Sequence, residues 1–458
     1  LFAFAPFFLD KKRVERKRKQ GLTNCQEFLS STLFVKMDLF SLFKKDYINY
    51  LLSIILPAVI SGLSIPVFKH LLGAEGYGLF SIWLNAVLIG TAVLSAWITQ
   101  SVIRFYPSAS NKLTFSKKAI RLSLYTQALF FIPTILLAWY VSGDVLLAVL
   151  CSLLLSAVSI QFTLLPIIQS GFLSKKIIWS EFIRIVSYVA LAVVLLEFTQ
   201  VKYIYALFVA VLVSYALSLL YLTRQMLLHT SNEETSNLGM VNLFKDFLRF
   251  GAPFSAWFIF SYLLSYIDKL YTLKYCGGEA QGNYQAIFDL IYKSITLIIS
   301  PAITSIYPIL TAAYTKGSRI EIKKLVLKII RYELVGFGLA SVAYWTFGGK
   351  LLLSILNIKV TSTYMWIGFI VLCGAFVWQL AILAQKRYEL KMKTPFLLAM
   401  VAVALMTQLC FYALFDNFNR QLLYPSGFLL SAVVYLILIS FNSLCHMRKT
   451  GSLQNHLS

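Results

Sequence analysis

Apolar residues in this chain run in blocks of about 20, the length that crosses a hydrocarbon core roughly 30 Å thick, and short polar or basic loops separate one block from the next. The blocks predict membrane helices near 47–68, 79–103, 119–141, 145–168, 177–199, 203–222, 250–272, 284–308, 332–354, 362–384, 395–415 and 422–444. Twelve spans is an even number, so both ends of the bundle lie on one side. Prolines fall inside several spans (Pro57, Pro66, Pro133, Pro166, Pro253, Pro301). Membrane helices tolerate them as kinks where neighbouring groups satisfy the freed carbonyls.

Composition supports the same class. Of 458 residues, 59% are apolar and only 13% charged, against roughly 25% charged in a soluble domain, and the mean hydropathy is +0.75. A chain so poor in charge cannot cover a water-facing surface of its size, which excludes an ordinary cytoplasmic enzyme. The net charge of +22 is explained by where it sits. Lys and Arg recur on every second loop, with only Lys69, Lys202, Lys269, Lys274, Lys350, Lys359 and Arg420 left for the other side. That is the positive-inside pattern, not a nucleic-acid patch, and it predicts both termini in the cytoplasm. No loop is long enough to fold as a nucleotide-binding domain or to carry the chemistry of a membrane polymerase or glycosyltransferase, and no Walker motif occurs. The six cysteines show no CxxC spacing and the four histidines stand apart, so neither a disulfide framework nor a metal site is predicted.

The first methionine is Met37. Before it, an apolar run (Leu1 to Leu9) precedes a basic run (Lys11 to Lys19), the reverse of an export signal. The expectation is that translation starts at Met37 and that residues 1–36 are an upstream basic extension; the other reading is a cytoplasmic tail touching anionic headgroups. The rest of the chain divides into a six-helix lobe over 37–228, an inter-lobe linker over 229–249, a second six-helix lobe over 250–447 and a tail over 448–458.

The two lobes carry a repeat. Gly73, Glu75 and Gly78 are followed by Phe80; Gly277, Glu279 and Gly282 are followed by Tyr284, each a Gly-x-Glu-x-x-Gly motif with an aromatic two residues on, offset by 204 residues. Phe105, Tyr106 and Pro107 answer Ile306, Tyr307 and Pro308. The motif's local task is a tight turn. Its recurrence at matching topology indicates duplication into parallel six-helix repeats about an axis along the membrane normal, leaving a central cleft between the lobes.

Taken together, Met37 to Lys45 running into Ile55, Leu56 and Pro57, the turn Leu72 to Phe80, Arg104 with Phe105, Asp268 with Lys269 before Gly277 to Tyr284, and Tyr307 with Pro308 resemble the polysaccharide-biosynthesis, O-antigen flippase family of the multidrug/oligosaccharidyl-lipid/polysaccharide exporter superfamily. The resemblance implies an all-α, MATE-like integral membrane protein of the bacterial inner membrane, with about twelve helices in two lobes. It implies flipping of an undecaprenyl-diphosphate-linked oligosaccharide, an O-antigen or capsule repeat unit, to the outer leaflet by alternating access, and it does not name the sugar. It implies no enzymatic step and no cofactor, leaving open an H+ or Na+ gradient. The partners would be membrane lipids and the lipid-linked oligosaccharide, with a polymerase and chain-length regulator as further candidates. The alternatives are a drug/cation antiporter of the same fold, a peptidoglycan-precursor flippase, for whose two extra helices the chain has no length, and a membrane glycosyltransferase or polymerase.

A diphosphate head needs a hydrated, cationic path, and charges within spans are the pointers, because each costs about 2.5–3.5 kcal/mol on insertion scales. Asp289 and Lys293 share a face of the eighth span at i, i+4 spacing. Lys293 reads either as a phosphate-attracting cation or as the structural partner of Asp289, and Asp289 alternatively as a coupling carboxylate. Arg184, with Glu181 three residues earlier, reads as an inner gate or an ion pair. Arg104 reads as headgroup capture or a positive-inside anchor, and Asp268 and Lys269 as an outer gate or a fixed ion pair. Tyr262, Tyr266 and Tyr292 are candidates to stack on sugar rings, and Gln100, Gln127, Gln161, Gln169, Gln379 and Gln408 to bond hydroxyls, or all serve helix packing.

Overall fold

The computed structural model describes residues 38–106, 109, 111–170, 174–198, 202–227, 240–315, 319–390, 393–415 and 419–454, with side chains between 59 and 440 apart from 169–175, 226–240, 300–325 and a few shorter stretches. The expected start at Met37, most of the linker and the end of the tail lie outside the described residues, as do the side chains of Tyr307 and Pro308. Two compact units divide the chain, Leu1–Leu51 and Leu52–Ser458. Of the first, residues 38–51 are described, as helix; the second holds all the other described residues.

Every described element is helical. In chain order they are α1 (Asp38–Phe105), α2 (Lys112–Ser142), α3 (Val145–Ser170), α4 (Ser174–Phe198), α5 (Tyr203–Leu227), α6 (Met240–Cys276), α7 (Gly278–Thr315), α8 (Arg319–Ala343), a π-turn (Tyr344–Gly348), α9 (Gly349–Ile355), α10 (Ser362–Leu390), α11 (Thr394–Leu414) and α12 (Arg420–Gln454). The first two predicted spans run together in α1, and the ninth covers the end of α8, the π-turn and α9. Among the described residues nine stretches are long and apolar enough to cross a membrane, and the first of them, Val59–Phe105, is 47 residues long, enough for two crossings at 1.5 Å per residue.

The packing follows hydropathy. In the first half α2 pairs with α3, α3 with α5 and α4 with α5; in the second α7 packs on α10, α10 on α12, and α11 on α6 and α12. One apolar cluster joins the halves, with Phe80, Leu154 and Phe208 from the first and Tyr284, Ile287 and Val371 from the second. Apolar side chains on the opposite faces, among them Leu129 and Ile132 of α2 and Leu339 and Val342 of α8, are exposed. In a water-soluble protein such a surface would aggregate; in a bilayer it is the lipid face.

Helix ends are set locally. Asn111 caps α2, its side chain accepting from the Thr114 amide at 2.8 Å, and Gly143 closes the helix in the left-handed conformation. Asp144 then starts α3: its Oδ1 accepts from the Leu147 amide at 3.1 Å and its other oxygen from the Tyr205 hydroxyl of α5. These bonds, the Tyr205 one foremost, hold the Asp144 carboxyl below the usual carboxylate range. A lowered folded value stabilises the protein above the unfolded value of about 3.9, and that stability is lost as pH falls through the folded value. Asp144→Asn therefore flattens the acid limb of thermal stability in vesicles and leaves its slope at neutral pH unchanged; an unchanged acid limb would remove Asp144 from this role.

Candidate functional site

The two copies of the repeated motif form the same turn. Gly73, which breaks α1, has φ 71°, and Gly277, between α6 and α7, has φ 88°. A Cβ at either would meet nothing within 4 Å, so the requirement is the left-handed backbone, which glycine adopts without penalty. The later glycines serve a different need. A Cβ at Gly282 would lie 1.7 Å from the Ala74 carbonyl oxygen, and one at Gly78 would lie 1.9 Å from Gln281 Oε1 and 2.9 Å from the Gly282 Cα. Gly278 abuts the Glu75 side chain in the same way. The two turns thus pack against each other, and their glycines let the two halves of the chain approach backbone to backbone.

Beside this contact Lys69, 6% exposed, donates to the Leu356 carbonyl at 2.6 Å. Leu356 ends α9, where free carbonyls carry partial negative charge, so a cation from the first half caps a helix of the second. Expected in a loop, the Lys69 side chain is instead buried across the seam.

Deeper along the seam lie the charges of α7. Asp289 accepts from the Tyr77 hydroxyl at 2.8 Å, and Lys293 donates to Ser61 Oγ at 3.2 Å; both partners belong to α1. The i, i+4 spacing puts Asp289 and Lys293 on one helix face, yet they make no ion pair. Among the described residues the pairs are Arg184 with Glu181 at 2.6 Å and Lys386 with Glu389 at 2.8 Å. Lys293 is therefore half-buried against a neutral hydroxyl. Asp268 and Lys269 of α6 sit close by and fully buried, at 0% and 2% exposure. One Asp268 oxygen accepts the Lys269 amide at 2.7 Å and the other the Tyr284 hydroxyl, while the Lys269 ammonium stands 4.1 Å over the Phe288 ring. The two residues do not line an exposed mouth; they are part of the seam's buried core, and Lys269 is within electrostatic reach of Asp289 and Lys293.

Arg184 belongs to the first half. Its Nε and Nη2 donate to Glu181 Oε2 at 3.1 and 2.6 Å, Glu181 Oε1 accepts from Gln161 at 2.8 Å, and the guanidinium lies 5.0 Å over Tyr215. One turn on, Tyr188 packs on Phe68 with ring centroids 5.1 Å apart. Arg104, at the end of α1, is exposed and stands apart from this group. The fold thus gathers Lys293, Asp289, Asp268 and Lys269 at the seam, keeps Arg184 with Glu181 in the first half, and leaves Arg104 outside.

A cavity of about 60 Å³ lies between α1, α3 and α6, lined in part by Thr91, Gln100, Phe162, Phe258 and Tyr262. It brings Gln100 and Tyr262, two of the sequence candidates, to one cavity. Further along, Gly251 of α6 meets the Trp97 backbone, where an added Cβ would lie 2.1 Å from the carbonyl oxygen, and Ser101 Oγ donates to the Phe247 carbonyl at 3.0 Å. The start of α6, which the sequence assigns to the linker, is thereby docked on α1.

Sequence reasoning missed Ser61, Lys69, Tyr77 and Tyr284. Tyr77 and Tyr284 lie in or beside the repeated motif, so the recurrence of the motif was the available signal. Lys69 stands four residues before Gly73, and nothing local marks Ser61.

The sequence model of the family described as "Polysaccharide biosynthesis protein" matches residues 43–313, and no curated protein matches the chain. The fold is similar to that of a MOP superfamily transporter from Pyrococcus furiosus, with 13% identity and a TM-score of 0.65 over 90% of this chain and 97% of the other; that protein's binding pocket is described as reversed in polarity. It is similar also to a MATE transporter from Vibrio cholerae, with 14% identity and a TM-score of 0.67 over 90% and 98%. An outward-facing multidrug resistance MATE family transporter gives 13% identity and 0.62 over 90% and 96%.

Proposed function

Because the chain belongs to the polysaccharide biosynthesis protein family, we propose that it is a flippase, carrying an undecaprenyl-diphosphate-linked oligosaccharide from the inner to the outer leaflet of the bacterial inner membrane by alternating access between its two halves. The fold of membrane transporters is in place, and the reading makes and breaks no covalent bond. The observation that carries the substrate is Lys293, a cation on the seam whose only hydrogen-bond partner among the described residues is the neutral Ser61 hydroxyl at 3.2 Å. A half-buried ammonium without a carboxylate is a ready partner for phosphate oxygens, with Lys269 within electrostatic reach of it. The prenyl chain stays in lipid while Gln100, Phe258 and Tyr262 face the sugars, aromatic faces and an amide suiting their C–H surfaces and hydroxyls.

The basic loops set the orientation, with both termini in the cytoplasm. The interlocked turns around Gly78 and Gly282 then lie on the outer side. Closed there, the seam has to open inward to admit the head and outward to release it.

Deleting the gene in its host tests the reading. The expected result is an accumulation of undecaprenyl-linked repeat units on the cytoplasmic face together with loss of surface polysaccharide, both restored by the wild-type chain. Unchanged polysaccharide with raised sensitivity to cationic drugs would replace the flippase with an antiporter.

A further inference from the structure

Away from the seam, the second half buries a carboxylate that no described residue answers. Glu333 of α8 is 8% exposed, and among the described residues neither of its oxygens has a hydrogen-bond partner. Its place on the helix explains the burial. Val326 and Ile329 before it are buried, and Phe337 after it stacks on Phe376 of α10 with centroids 4.3 Å apart. Ile329, Phe337, Phe376 and Ile299 of α7 belong to one apolar cluster. Residues 329, 333 and 337 follow one another at i, i+4, so Glu333 points with them into the contact of α8 with α7 and α10.

The charged groups on the facing helices are Glu279, Asp289 and Lys293 on α7 and Lys386, Arg387 and Glu389 on α10; from 300 to 315 α7 carries none. Asp289 and Lys293 are bonded to α1, and Lys386 to Glu389. On α8 itself Lys328 and Arg331 are exposed on other faces. No described donor or cation therefore meets Glu333. A carboxylate in such surroundings is neutralised by a proton or by a bound cation. A hard metal cation needs several oxygen ligands around it, and here the described neighbours within the cluster are hydrocarbon. A proton needs only the carboxyl.

We propose that Glu333 is a proton-binding site of the second half, occupied while α8 is packed on α7 and α10. Ionising it requires water or a cation to reach it, which means parting those helices. Proton release and helix separation are therefore linked, each favouring the other by the same factor. The site does not depend on what the transporter carries.

Infrared spectroscopy of the full chain in lipid vesicles tests this without a substrate. At pH 7 an exposed glutamate, with an ordinary value of about 4.3, is almost wholly ionised, so a protonated-carboxyl stretch that shifts on carboxyl-13C glutamate labelling marks a buried acid. The expected result is such a band in the wild type, lost by one carboxyl per chain in Glu333→Gln and shifted in Glu333→Asp. A wild-type chain lacking the glutamate band, or a Glu333→Gln chain keeping it in full, overturns the proposal. A band that Na+ removes at constant pH overturns it too, in favour of a sodium site. Should Glu333→Gln fail to fold, Glu333→Asp decides: glutamate labelling no longer marks position 333, so the labelled band is expected to fall by one carboxyl per chain, and a labelled band kept in full overturns the proposal.

Discussion

Replacing Lys293 with Ala abolishes surface polysaccharide in the deletion host without lowering the amount of folded protein in the membrane. The expected loss is large because, among the described residues, the ammonium has only the neutral Ser61 hydroxyl against it, whereas Lys69 caps α9 and Lys269 stands over the Phe288 ring. A hydrogen bond to a charged group contributes about 1.5–3 kcal/mol, roughly a 10- to 150-fold change, and a diphosphate head doubles the contacts available to it. The fold survives because Ser61 is neutral: removing Lys293 strands no opposite charge. Arg184→Ala is the instructive contrast. It leaves Glu181 half-buried with Gln161 alone, and breaking a buried pair by removing one partner is strongly destabilising, so a lost phenotype there reports folding as much as transport. Lys293→Arg keeps the charge and is expected to restore part of the polymer. Wild-type levels of surface polymer in Lys293→Ala, with normal glycolipid pools, would remove the residue from the substrate path.

Gly282→Ala carries the second large effect, on conformation. The new Cβ meets the Ala74 carbonyl oxygen at 1.7 Å and its carbon at 2.4 Å, and backbone held inside a helix cannot yield as a side-chain tip can. Overpacking of this kind costs about 1–3 kcal/mol, enough to shift a two-state equilibrium by roughly 5- to 150-fold, and the cost falls only on the arrangement in which the turns touch. Spin labels at His70 and Lys274, both exposed and at equivalent places in the two repeats, are expected to report a longer distance in Gly282→Ala than in the wild type. Gly277→Ala separates space from backbone: it meets no atom within 4 Å but strains a φ of 88°, so it weakens the turn without wedging the seam. Retention of the short distance in Gly282→Ala would show that the turn contact does not hold the halves together. Gly251→Ala, against the Trp97 carbonyl, applies the same wedge at the far end of the seam.

How far these sites were readable in advance varies by residue. Gly73 and Gly277 were marked by their motif, and their equivalence emerges as two breaks of the same left-handed kind. Asp289 and Lys293 are marked in the sequence as costly intramembrane charges at i, i+4 spacing, which leaves open whether they neutralise each other. They turn instead to Tyr77 and Ser61, residues more than 200 positions away. Glu333 is the second residue of the predicted span 332–354, where a charge at a span's end reads as an interfacial residue until the packing of α8 on α7 and α10 shows it buried.

The apolar blocks and the glycine breaks between them were determined by the sequence alone, because span length and backbone φ are local properties and the motif recurs in both halves of the chain. Only the tertiary structure decided that Lys69 caps α9, that Lys293 lacks a carboxylate, that Asp268 and Lys269 are buried and that Glu333 faces α7 and α10. A helical period fixes which residues share a face. It does not fix what that face meets, which depends on contacts between helices distant in the chain.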